Sequence, residues 1–307
     1  MRTGLVVGSR GSKLALIQAE SVVAEIRKIN PRVKVDISKI VTGGDRDRHT
    51  QLDHLEGMGV FVKELEEALL SGEIDLAVHS LKDVPTEIPG GLCLLAVTEK
   101  LDPRDVLISR VGRLDKLPSG ARVGTGSLRR AAQLGQYRPD LEICGIRGNV
   151  DTRLRKVASG EFDGVILAAA AMLRLGWWDK ISECLPLEHF IPAVGQGALA
   201  LETRLGDEET AELVSPLNHL KTWQGVTAER AFLSTLGGGC RAPIAAMGMV
   251  KSDTLNLRGM VADASGKKIL RATDEGNASS PEELGVRLAQ RMLEMGASEF
   301  IAEVRHW

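Results

Sequence analysis

The sequence predicts an α/β fold of two similar domains followed by a small α+β domain, and three observations carry that expectation. Short apolar runs alternate with helix-length amphipathic segments through most of the chain, the order that builds a parallel sheet. Ser71-Gly72-Glu73-Ile74-Asp75-Leu76-Ala77-Val78 is weakly repeated as Ser159-Gly160-Glu161-Phe162-Asp163-Gly164-Val165-Ile166, each joining a helix to an apolar strand. Beyond residue 221 the rhythm changes to successive strands and one closing helix. A chain of 307 residues is long enough for two or three domains.

In order, Leu5-Val6-Val7 is a buried-type strand ending at Gly8, and Ser9 to Ser12 offer N-caps for a helix striped by Ala15, Ala19, Val22 and Ile26. Asn30-Pro31 stops it. Val33, Val35 and Ile37 alternate with polar residues as a second strand, and the polar, Gly-containing stretch 42–59 reads as a long mobile loop. A helix from Val60 to Leu70 leads to a strand from Asp75 to Ser80, and the stretch Glu99 to Arg104 is the first linker. The second domain opens like the first, with Arg122-Val123 running into a Gly/Ser turn. A strand-like Ala198 to Glu202 follows it, then a helix from Thr222 to Leu236. Three strands, Ala245 to Val250, Leu255 to Val261 and Lys268 to Ala272, form a meander. Pro281 to Met295 completes the domain as a helix with Leu284, Leu288, Met292 and Met295 inward, closed by Gly296.

Composition narrows the function. Hydrophobic residues make up 43% and charged residues 26%, as in ordinary globular proteins, while 3% aromatics and a net charge of −2 provide neither stacking platforms nor a basic footprint for nucleic acid. The 25 arginines outnumber the 14 lysines. Arginine's planar fork grips carboxylate and phosphate, which suits a ligand with several acidic groups. The short N-terminal apolar run is no secretory signal, and no segment reaches the roughly 18 apolar residues of a membrane span. A cytoplasmic protein without membrane or nucleic-acid partners is expected. The dispersed Cys93, Cys144, Cys184 and Cys240 suit reduced thiols better than disulfides or a zinc site. No apolar patch or coiled coil demands more than a monomer.

Four motifs carry chemistry. Gly124-Thr125-Gly126-Ser127 before Leu128-Arg129-Arg130 reads either as an anion site at a helix N-terminus or as a plain N-cap followed by solvated arginines. Arg147-Gly148-Asn149-Val150-Asp151-Thr152-Arg153 repeats the theme, while Arg155 points elsewhere on the helix as a surface charge. Lys82-Asp83, just past a buried strand, reads either as a poised carboxylate or as a turn before Pro85. His79 and Trp177-Trp178 read as packing. Leu236-Gly237-Gly238-Gly239-Cys240-Arg241 hands a thiol to a Gly-rich loop, as a nucleophile or as a small apolar residue beside a helix stop.

Together, His79-Ser80-Leu81-Lys82-Asp83-Val84-Pro85, Gly124 to Arg130, Arg147-Gly148-Asn149-Val150, Pro192-Ala193-Val194-Gly195-Gln196-Gly197 and Gly238-Gly239-Cys240 strongly resemble the porphobilinogen deaminase (hydroxymethylbilane synthase) family. The resemblance runs from Gly8 to the end. It implies two periplasmic-binding-protein-like α/β domains, 1–99 with 198–217 and 104–194, and a third domain, 221–307, holding the cofactor cysteine. It further implies that Cys240 carries a dipyrromethane primer through a thioether, and that four porphobilinogen molecules condense on it with loss of ammonia before hydrolysis to hydroxymethylbilane. Asp83 is implied as the catalytic residue, stabilising positive charge on pyrrole nitrogens and helping to move protons through deamination and coupling. Lys82, Asp83, Thr125, Ser127, Arg129, Arg130, Arg147 and Gly148 are implied to hold the cofactor, and Arg10, Ser12, Arg147, Arg153, Arg174 and Arg230 the substrate. The rival reading of the residues is a two-lobed solute-binding or sensor protein for a small acidic ligand. Two departures stand out: Glu56-Gly57-Met58-Gly59-Val60-Phe61 lacks the loop lysine often found in the family, and Gly126 replaces a usual serine, with little loss expected.

Overall fold

A computed structural model describes residues 4–41, 43, 62–237, 242–263 and 265–305, with side chains as far as 302. The loop expectation for 42–59 and the Gly238 to Arg241 segment lie outside these residues. The chain divides into two compact units, Met1–Leu101 with Ala198–Trp223, and Asp102–Gly197 with Gln224–Trp307.

The first unit opens with β1 (Gly4–Arg10), α1 (Lys13–Ile29), β2 (Lys34–Ile40), α2 (Lys63–Leu70), β3 (Leu76–Ser80) and β4 (Leu92–Val97). Strand β1 runs two residues past Gly8, so Arg10 sits at its carboxyl end. Ser12 Oγ accepts the Ala15 amide at 3.3 Å and starts α1, whose Ala19, Val22, Val23 and Ile26 are buried. In the second unit β5 (Asp105–Ser109), β6 (Arg122–Gly124), α3 (Leu128–Tyr137), β7 (Glu142–Cys144), α4 (Val150–Ala158), β8 (Gly164–Ala168), α5 (Ala169–Arg174) and β9 (Glu183–Cys184) form the next layer set. The chain then returns through β10 (Leu199–Arg204) and α6 (Glu208–Val214) to the first unit.

The two sheets have matching orders, β2-β1-β3-β10-β4 and β7-β6-β8-β5-β9. Each is mixed where alternation predicts parallel. β10 is antiparallel to β3 and β4, and β5 is antiparallel to β8, because each enters its sheet from the connection between the α/β halves. The sequence repeat is a structural one. Gly72 and Gly160 end their helices with φ of +77° and +84°, a conformation in which glycine bears no Cβ penalty. Asp75 Oδ2 then accepts the Val6 amide at 2.9 Å, as Asp163 Oδ2 accepts that of Arg122 at 2.8 Å.

The remaining elements are α7 (Leu220–Leu236), β11 (Ile244–Lys251), β12 (Thr254–Ala262), β13 (Ile269–Asn277) and α8 (Pro281–Met292). The strands form the expected antiparallel meander, with β13 running five residues beyond Ala272 to Asn277. Phe232, Leu257, Leu284, Leu288 and Met292 fill the core between the sheet and its helices. Met295 is 45% exposed, contrary to the expected inward stripe. The turn Leu293–Ala297 ends the helix at a kink in which Gly296 takes φ of +101°, so Met295 falls outside the regular apolar stripe.

Helix α7 lies backbone to backbone on β11: a Cβ added at Gly248 would stand 2.6 Å from the Gly225 carbonyl oxygen. Gly248→Ala is therefore expected to destabilise by about 1–3 kcal/mol, seen as a lower denaturation midpoint with an unchanged m-value.

Candidate active site

In the first unit the carboxyl ends of β1 and β3 meet around a small pocket lined by Arg10, Ser12, Gln18, His79, Ser80 and Asp83, with apolar neighbours. Binding beyond the carboxyl ends of strands is the rule for open α/β sheets. A single 3₁₀ turn, Leu81–Asp83, follows β3: its Leu81 is buried, and Asp83 is turned outward. Gln18 Nε2 donates to Ser80 Oγ at 2.8 Å and fixes the last residue of that strand. Ser12 spends a lone pair on its cap and keeps its O–H to donate.

The second unit gathers cations. Arg129 and Arg130 are buried, at 4% and 8% exposure, rather than solvated. Arg129 Nη1 donates to Asp105 Oδ2 and to the Ile191 carbonyl, both at 2.7 Å. Arg130 reaches Asp105 Oδ1 through Nε at 3.0 Å and Nη2 at 2.8 Å, and donates to the Ile166 carbonyl. Gln196 Nε2 adds a bond to Asp105 Oδ1 at 2.9 Å. Burial alone would raise the Asp105 carboxyl, but the two guanidiniums overcome it and hold it well below the usual range. Burial outweighs Asp105 at Arg129 and lowers it.

Around this anchor lie the turns. Thr125 Oγ1 accepts the Ser127 amide at 3.2 Å, and Ser127 Oγ caps α3 through the Arg130 amide at 3.4 Å. Asn149 caps α4, and Arg153 Nε donates to the Gly148 carbonyl at 2.8 Å. Arg147 and Gly148 are exposed. Arg174 Nη2 donates to the Gly197 carbonyl at 2.8 Å. Among the described residues neither Arg153 nor Arg174 has a carboxylate partner, and burial lowers both to about 10, with the Arg130 charge contributing at Arg153. Both remain cationic at neutral pH. At Gly126 an added Cβ would lie 3.1 Å from the Ile146 carbonyl oxygen, so a serine there requires that carbonyl to give.

The structure thus brings Arg10, Ser12 and Asp83 to one pocket, with Lys82 in the same turn. It places Thr125, Ser127, Arg129, Arg130, Arg147, Gly148, Arg153 and Arg174 in the second unit, and half-buried Arg230 on α7. Cys240 and Met58 lie outside the described residues. Sequence reasoning missed Asp105, whose only signal is an acid directly after the linker. It also missed Glu229, whose buried carboxylate accepts the Gly195 and Gly248 amides at 2.7 and 2.8 Å. Trp177 packs beneath Lys180, whereas Trp178 is 43% exposed. Cys93, Cys144 and Cys184 are free thiols, and no group of His, Cys, Asp and Glu among the described residues is placed to hold a metal.

Fold and site together define an α/β protein that concentrates arginines, capped turns and one outward carboxylate at strand ends, equipment for a ligand with several acidic groups. Residues 5–212 match the family model described as porphobilinogen deaminase, dipyromethane cofactor binding domain, and residues 223–294 match the porphobilinogen deaminase C-terminal domain. The chain belongs to the porphobilinogen deaminase family. It is 50% identical over 300 residues to porphobilinogen deaminase of Geobacter metallireducens, covering 98% of this chain and 94% of the relative. It is 48% identical over 291 residues to that of Syntrophus aciditrophicus, covering 94% and 95%. Over 306 residues it is 48% identical to that of Desulforudis audaxviator, covering 99% of each. Among solved structures, the periplasmic VFT2 domain of Bordetella pertussis BvgS aligns with a TM-score of 0.42 and 17% identity, over 70% of this chain and 87% of that one. The family models and the named deaminase relatives do not favour the solute-binding alternative.

Asp105→Asn removes a buried counter-ion from two arginines and is expected to cost about 3–5 kcal/mol in chemical denaturation. Since its folded pKa is depressed, the carboxylate's contribution is whole above the unfolded value of about 4 and is lost as pH falls below it. The wild type is therefore expected to lose stability below about pH 4 more steeply than Asp105→Asn.

Proposed function

We propose that this chain is an ammonia-releasing transferase that condenses four porphobilinogen molecules head to tail and hydrolyses the product to hydroxymethylbilane, in tetrapyrrole and heme biosynthesis. The observation that carries this reading is the outward Asp83 beside Arg10 and Ser12 at a strand-end pocket of the first unit; within the second unit, taken by itself, cationic Arg153 and Arg174 lack carboxylate partners among the described residues. Three domains, 1–99 with 198–217, 104–194 and 221–307, are proposed to share the work. We take the protein to act in the cytoplasm as a monomer, without nucleic acid or membrane; no helix among the described residues is long and apolar enough to cross a membrane.

The donor chemistry fits a covalent dipyrromethane, whose rings carry acetate and propionate groups. Buried guanidiniums and backbone turns are the groups that desolvated carboxylates require. Cys240 would hold it through a thioether, beside Arg241, whose charge favours the thiolate. Lys82, Asp83, Thr125, Ser127, Arg129, Arg130, Arg147 and Gly148 would hold its polar groups. When bound, it supplies the pyrrole carbon at which the chain grows.

Arg10, Ser12, Arg147, Arg153, Arg174 and Arg230 would orient incoming carboxylates. Each condensation breaks the aminomethyl C–N bond, releases ammonia and forms a C–C bond with loss of a ring proton. Asp83, at the open end of its pocket, balances the positive charge that develops on pyrrole nitrogen as ammonia departs. It also accepts and returns protons within hydrogen-bond reach. The apolar residues behind the pocket exclude water and strengthen that charge pairing.

The test is the intact mass of the purified protein before and after porphobilinogen is added. An excess of two deaminated substrate units, growing by single units and absent from Cys240→Ser, is expected; a mass that never changes, even after reconstitution, would defeat the reading. Asp83→Ala is expected to remain folded and to bind substrate while kcat falls by about 10²–10⁴, measured as ammonia release.

A further inference from the structure

Behind the Asp83 pocket lies a group of acids that the reaction above does not use. His79 lines the pocket on one side. On the other, its Nε2 lies 2.9 Å from Glu202 Oε2 on the antiparallel neighbour β10, where His79 faces Ala200 in register. The two side chains are 3% and 0% exposed. Among the described residues Glu202 Oε1 has no hydrogen-bond partner, and neither does the buried Oε1 of half-buried Glu66 on α2. Burial first, and then the Glu202 charge, pushes the Glu66 carboxyl above the ordinary carboxylate range, with His79 acting in the opposite sense. Burial and the same Glu202 charge raise the Cys93 thiol on β4.

The other charged groups near this set are Glu64 and Glu67 on α2, and Arg10 and Asp83 on the pocket side. Asp75 and Arg204 pair with each other at 2.9 Å at the far end of β3 and β10. A buried carboxylate is costly by desolvation unless a donor holds it, and the His79 ring is the group in contact with Glu202.

We propose that Glu202, through its buried contact with Nε2, holds the His79 ring as a fixed wall of the Asp83 pocket. His79 and Glu202 are then positioning residues for the condensation, an assignment that rests on the deaminase reading.

The test uses the cofactor-loaded protein. A ¹H–¹⁵N NMR spectrum is expected to show a slowly exchanging His79 Nε2–H in the wild type that is lost in Glu202→Leu; an unchanged signal overturns the hold on the ring. Glu202→Gln still accepts from Nε2–H, whereas Glu202→Leu cannot. Glu202→Leu is expected to lower kcat about tenfold with KM changed less than about twofold and the covalent mass intact, and Glu202→Gln to recover most of that loss. Wild-type kcat in the Leu variant overturns the positioning role. A wild-type protein that does not turn over porphobilinogen defeats the deaminase reading, while the Nε2–H signal, which needs no turnover, still decides whether Glu202 holds the ring.

Discussion

The pairing of one buried carboxylate, Asp105, with two buried guanidiniums organises the second α/β domain. Arg129 and Arg130 open α3, Asp105 opens β5, and the carbonyls of Ile166 and Ile191 and the amide of Gln196 complete the set. Helix, two strands and the Gly-rich segment before β10 are therefore fixed to one charge cluster. Its count is uneven: two cations meet one anion in a dry interior. Burial makes that imbalance expensive unless donors and acceptors are nearly all used, which is how the cluster is built. The surplus positive charge sits beside the Thr125 and Ser127 turn, and it depresses Arg153. A ligand rich in carboxylates answers that surplus, so the element that stabilises the domain also sets its appetite for anions.

The internal repeat shows how one local solution serves two chemistries. Asp75 and Asp163 occupy the same place, each holding the equivalent strand of its sheet, β1 or β6, through a backbone amide. Beyond that shared joint the two halves diverge. In the first, β3 continues into a short turn that projects Asp83 beside Arg10 and Ser12. In the second, β8 runs directly into α5, which carries Arg174. One half supplies the acid, the other most of the buried cations.

Legibility followed the range of the interactions. Helix α1 was readable because Ser12 caps it and its apolar stripe has a 3.6-residue period. The meander was readable because its strands alternate and its turns are short. β5 and β9 were not: each is brief, and its place is set by pairing with strands distant in sequence. Met295 was misplaced because the kink at Gly296 breaks the period on which its position was judged. His79 was read as packing from its apolar neighbours, and its partner Glu202 is 123 residues away.

By itself the sequence determined the fold class, the repeat, the strand-end turns and, through the ordered blocks that resemble the porphobilinogen deaminases, the family. Those features are encoded locally, in caps, periods and motif order. Only the tertiary structure decided that Arg129 and Arg130 turn inward to Asp105, that β10 enters the first sheet antiparallel, and that Glu202 meets His79 in the interior of the first unit. Each depends on which distant residue becomes a neighbour when water is excluded, and the cost of burying charge is fixed only when that neighbour is known.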